Sequence, residues 1–111
     1  MHVQARWARA APSPETWRPS PGQPHERAVA EQDRAAGGRL RRSVLLDDGQ
    51  TATASVELKM PGGRRIYGYL RYSRDGQTVN RYVGNAPGKT RQERLAHVWR
   101  LARKRGMLNG A

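Results

Sequence analysis

The chain has 111 residues, no cysteine, no phenylalanine, 36% apolar residues and a formal net charge of +12. That length holds one small domain, and the missing cysteines remove disulfides, thiol catalysis and cysteine-based zinc sites together. No apolar run approaches the ~20 residues of a membrane span, and no signal-peptide core follows Arg6 and Arg9, so the reading is of a soluble, cytoplasmic protein. The charge is also sorted along the chain. Thr51–Ala111 carries thirteen Lys and Arg against Glu57, Asp75 and Glu93, whereas the first fifty residues carry eight Arg and six acids. A GC-rich genome favours Arg, Ala, Gly and Pro, but compositional drift would not concentrate +10 of the +12 in one part.

Residues 1–42 read as a disordered Pro/Arg-rich tail. Pro12, Pro14, Pro19, Pro21 and Pro24 lie among Ser, Gly and Gln, and proline lacks the amide donor that helices and sheets need. Trp7 and Trp17 read as isolated aromatics within that tail. His25–Ala36 is helix-permissive, but Val29 is its only large aliphatic, which makes any helix there marginal. Residues 1–40 also resemble translated GC-rich leader, as a start codon assigned too early would give.

Order is expected from residue 43. Val44-Leu45-Leu46 followed by Asp47-Asp48-Gly49 suggests a short edge strand. Alternation over Thr51–Lys59 puts Ala52, Ala54, Val56 and Leu58 on one face. After a turn at Pro61-Gly62-Gly63, Arg65–Tyr72 alternates likewise, with Ile66, Gly68, Leu70 and Tyr72 on one side. Asp75-Gly76 is a two-residue hairpin signal, because a type I′ turn needs positive φ at both positions. Thr78–Gly84 gives a third strand with Val79, Arg81 and Val83 inward.

Register follows from the loops. The Asp75-Gly76 turn pairs Tyr72 with Val79, Leu70 with Arg81, Tyr69 with Tyr82, Arg71 with Asn80 and Gly68 with Val83. A three-residue Pro61–Gly63 loop pairs Leu58 with Ile66 and Val56 with Gly68. Both registers gather the aliphatic side chains on one face, and a slip by one residue would scatter them. Thr90-Arg91-Gln92-Glu93 is a capping box opening a helix whose Leu95, Val98, Trp99 and Ala102 form one stripe. Gly106 is its expected C-terminal stop. Trp99 should seat on the sheet, with Gly68 leaving room for it. The expected fold class is therefore α+β: a three-stranded antiparallel sheet, with a possible fourth edge strand, packed on one C-terminal helix.

The opposite sheet face carries no aliphatic residue. It displays Arg65, Tyr67, Tyr69 and Arg71 beside Asn80 and Tyr82, with Lys59, Arg64, Arg74 and Lys89 around the rim. In a DNA major groove Arg pairs with guanine edges and Asn with adenine edges, while rim cations contact phosphates and set register. Tyrosines on a sheet can instead stack on unpaired bases, as in RNA and single-strand binders. Ordinary cross-strand pairing would also place tyrosines there, since aromatics favour sheets. The favoured partner is nucleic acid, DNA ahead of RNA. The alternative is an acidic protein such as a nuclease or restriction subunit.

Catalysis finds little support, and no cofactor or metal is called for. His97 is a lone helical histidine, and Glu93 and Asp75 already have capping and turn roles. Gly84–Thr90 ends in Gly-Lys-Thr, but only three residues separate Gly84 from Gly88 where a phosphate-binding loop has four.

The run Arg65–Gly84 (RIYGYLRYSRDGQTVNRYVG) resembles a small sheet domain found beside actinobacterial very-short-patch-repair-type endonucleases, and Thr90–Leu108 (TRQERLAHVWRLARKRGML) continues the likeness. The resemblance covers 51–108 and implies a non-catalytic accessory domain, because nothing in this chain matches the nuclease's acidic active site. More loosely, three strands backed by a helix are similar to the arm-binding domains of tyrosine recombinases and to plant Apetala-type domains, which lay their sheet in the major groove.

Overall fold

The computed structural model describes residues 11–110. A 3-10 turn at Pro14–Thr16 precedes helix α1 (His25–Ala36), and a second at Arg39–Arg42 precedes strand β1 (Ser43–Leu45). Strands β2 (Thr51–Thr53), β3 (Ser55–Lys59), β4 (Tyr67–Arg74) and β5 (Gln77–Asn85) follow, then helix α2 (Arg91–Lys104). β3, β4 and β5 form a three-stranded antiparallel sheet in that order, while β1 and β2 pair in a separate two-stranded ribbon. The expected edge strand exists, but it pairs with β2 and does not extend the larger sheet. The run expected as one strand over Thr51–Lys59 breaks at Ala54, whose amide donates to Arg42 C=O at 2.8 Å.

The hairpin between β4 and β5 has the expected turn: Asp75 and Gly76 take φ of 51° and 78°. Tyr72 pairs with Val79, Arg71 with Asn80, Leu70 with Arg81 and Tyr69 with Tyr82. Beyond that a bulge intervenes, so Gly68 faces Gly84 and Val83 is the extra residue. The hairpin between β3 and β4 is corrected by two residues: Val56 pairs with Leu70 and Leu58 with Gly68. Its connection runs from Met60 to Ile66, so Arg65 lies in the loop and not in a strand. A shift of two keeps every side chain on its expected face, which is why alternation alone could not detect it.

α2 begins with the capping box in full. Thr90 Oγ1 accepts from the Glu93 amide at 3.1 Å, and Glu93 Oε1 accepts from the Thr90 amide at 3.3 Å. Leu95, Val98, Trp99 and Ala102 are its buried residues, and they join Val56, Leu58, Leu70 and Val83 in one core. Gly106 (φ 70°) ends the helix; Met107 and Leu108 then fold back against the core. Gly68 makes room, but for Val98: a Cβ on Gly68 would stand 2.3 Å from Val98 Cγ2. Trp99 is not among the three atoms nearest that position, which corrects the expected pairing.

The tail reading is corrected from His25 onward. α1 is a twelve-residue helix closed by Gly37 in the left-handed conformation, and its inner side buries Gln32 beside the small Ala36. Gln32 is 7% exposed and Arg42, just beyond the helix, 5%. Hydrophobic periodicity cannot register a helix docked by hydrogen bonds, so the segment looked marginal. Trp17 is also partly buried against the core, while Trp7 lies outside the described residues.

Candidate nucleic-acid interface

Three consecutive residues of α1 hold the platform from behind. Glu31 receives a forked ion pair from Arg91, with both nitrogen–oxygen distances 3.0 Å, and Arg91 also donates to Trp17 C=O. Gln32 Nε2 donates to Val56 C=O and Gln32 Oε1 accepts from the Val56 amide, each at 2.9 Å, while Trp99 Nε1 donates to the same oxygen at 3.2 Å. Asp33 accepts from Arg42 at 2.7 Å, and Arg42 also donates to Ala54 C=O and to Ser55 Oγ. The outer edge of β3 is thereby capped at Val56, and the Ala54 break is closed around a paired guanidinium.

With α2 on one side, the other sheet face is open. Tyr82, on the edge strand β5, is 53% exposed. Its ring is 5.6 Å from Tyr69 in an edge-on contact and 5.9 Å from Tyr67 at a tilt, so the three expected tyrosines form one cluster. Lys59 Nζ stands 5.0 Å over the Tyr69 ring and 3.4 Å from Glu57. Arg71 also approaches Glu57, at 3.8 Å, and keeps 54% of its side chain exposed, with exposed Asn80 directly across from it.

The rim residues divide into two groups. Arg74 is engaged: Asp47 lies 2.9 Å from it and Asp75 4.0 Å, and the hydrogen bond it donates to Asp47 holds its pKa above the ordinary arginine value. Arg64, Arg65 and Lys89 are exposed in loops, so the structure brings Arg64 and Arg65 together and leaves Arg74 bound to acids. The binding residues expected from the sequence included neither Asn85, which the Val83 bulge sets opposite Tyr67, nor Arg94. Arg94 is half-buried: its Nη1 donates to Ala86 C=O at 2.6 Å, and burial, partly offset by Glu93, pulls its pKa below the ordinary value. The glycine beside the bulge, Gly84, was the available signal.

Among the described residues no cluster of three or more His, Asp or Glu could hold a metal ion, and no helix is long and apolar enough to cross a membrane. Comparison with protein-family models, curated proteins and solved structures returned no match to this chain.

Proposed function

We propose that the protein binds nucleic acid through the open sheet face, with duplex DNA as its preferred partner. The observation that carries this reading is the division of the sheet. Its large aliphatic side chains turn toward α2, and the open face presents tyrosine, arginine, asparagine and hydroxyl groups with no aliphatic side chain. On that face Arg71 and Asn80 stand side by side and exposed, and those two side chains match guanine and adenine edges. The strong positive balance of Thr51–Ala111 supplies the attraction for phosphates. This is a binding role without a catalytic step, and it belongs with cytoplasmic, nucleoid-associated DNA.

Fluorescence anisotropy of the full chain against labelled duplex, single-stranded DNA and RNA, at two salt concentrations, tests the reading. If about six phosphates are neutralised, log affinity for duplex falls with log salt at a slope of about −5. Binding that ignores salt and prefers none of the three would refute it, and would turn the basic surface toward an acidic protein partner such as a nuclease.

A further inference from the structure

Arg64 and Arg65 of the β3–β4 connection, Asn85 of β5 and Arg94 of α2 line one cleft of about 310 Å³. No carboxylate is among the residues lining it. Asn85 pairs with Tyr67 across the sheet, so the cleft lies at the end of the sheet away from the Asp75-Gly76 turn. Arg94 is fixed there by its hydrogen bond to Ala86 C=O, and its Nε is shut off from solvent with no acceptor among the described residues. Its one hydrogen-bond acceptor among the described residues is a neutral carbonyl, and Glu93 offsets only part of the desolvation of this half-buried guanidinium. Two further arginines in the same wall add like charge, which a surface made only for stability would separate or pair with acids.

We propose that this cleft is an anion pocket holding one backbone phosphate of bound nucleic acid, with Arg94 as its fixed donor and Arg64 and Arg65 as its flanking donors. Guanidinium groups suit that ligand because their planar forks match phosphate oxygens in pairs. The choice of ligand rests on the nucleic-acid reading above; the anion preference rests on the cleft itself. A phosphate held here would lie at the end of the sheet where Asn85 pairs with Tyr67, and so would set the register of the strand whose bases or grooves meet the tyrosine cluster.

The test is nuclear magnetic resonance of the arginine Nε–Hε groups in the full chain. Inorganic phosphate at millimolar concentration should move the Arg94 resonance saturably, while chloride at equal ionic strength should not. Added duplex should move the same resonance, and Arg64→Ala or Arg65→Ala should weaken the phosphate response and lower the salt slope of duplex binding by about one each. Both variants lie in an exposed loop, so an unchanged melting curve will certify that the fold is intact. An Arg94 resonance indifferent to phosphate and to bound duplex overturns the pocket even if the sheet face binds DNA. Movement with phosphate but not with bound duplex overturns the assignment to a backbone phosphate. A phosphate response in a protein that binds no nucleic acid supports the anion pocket and refutes the nucleic-acid reading.

Discussion

The side-chain amide of Gln32 meets the peptide of Val56 as a neighbouring strand would, donating to its carbonyl and accepting from its amide at 2.9 Å each. The same Gln32 oxygen receives Trp99 Nε1, so one residue of α1 ties the sheet edge to the largest side chain of the core. Gln32→Ala would leave three buried polar groups without partners. We expect it to cost about 3 kcal/mol, read as a fall in the midpoint of denaturant unfolding. A change within the ±0.5 kcal/mol of ordinary surface substitutions would mean that α1 does not brace the sheet.

Close approach of sheet and helix at Gly68 and Val98 gives a second expectation. Gly68→Ala places a methyl group where Val98 Cγ2 already stands, and overpacking of this kind costs about 1–3 kcal/mol. Val98→Ala also destabilises alone, by opening a cavity. Together the two changes should cost less than their sum, because each relieves the other. A double-mutant cycle by thermal unfolding measures the coupling, and strict additivity would contradict the contact.

How far the sequence carried can be judged from such particular places. Tyr69 opposite Tyr82 followed from Asp75-Gly76, because a two-residue turn leaves one register. The stripe on α2 followed from its capping box and spacing. The pairing of Val56 did not, since a seven-residue connection and a three-residue one place the same side chains inward. α1 was missed because it buries no large aliphatic side chain, only Ala36 and Gln32, with Arg42 just beyond it, and the polar pair docks through hydrogen bonds. The open face was legible as a set of residues. Its inner charge pattern, with Glu57 between Lys59 and Arg71 and with Arg74 held by Asp47, depends on approaches that no spacing rule encodes.

That charge pattern separates the arginines by role. Arg71→Ala and Asn80→Ala should flatten discrimination between duplex sequences, each by about 1–3 kcal/mol at its base pair. Lys59→Ala should weaken all sequences alike. Arg74→Ala should change affinity little, because Asp47 and Asp75 already occupy that guanidinium. Competition binding on a set of duplexes reads all four. Equal losses on every sequence from Arg71→Ala and Asn80→Ala would sink base readout by the sheet.

The tyrosine cluster decides between duplex and single-strand binding. Tyr82 touches both Tyr67 and Tyr69 and is exposed, whereas those two are half-buried and Lys59 already covers one face of Tyr69. If unpaired bases stack on this face, Tyr82 is the side chain that offers them a ring. Tyr82→Ala should then cost about 1–3 kcal/mol on single strands and little on duplex. If the sheet enters a groove, the phenol contributes a contact or two at its periphery, and the loss should be small on both. A large loss on single strands, measured by anisotropy in a variant with an unchanged melting curve, would move the preferred partner from duplex to unpaired nucleic acid while leaving the face itself as the binding surface.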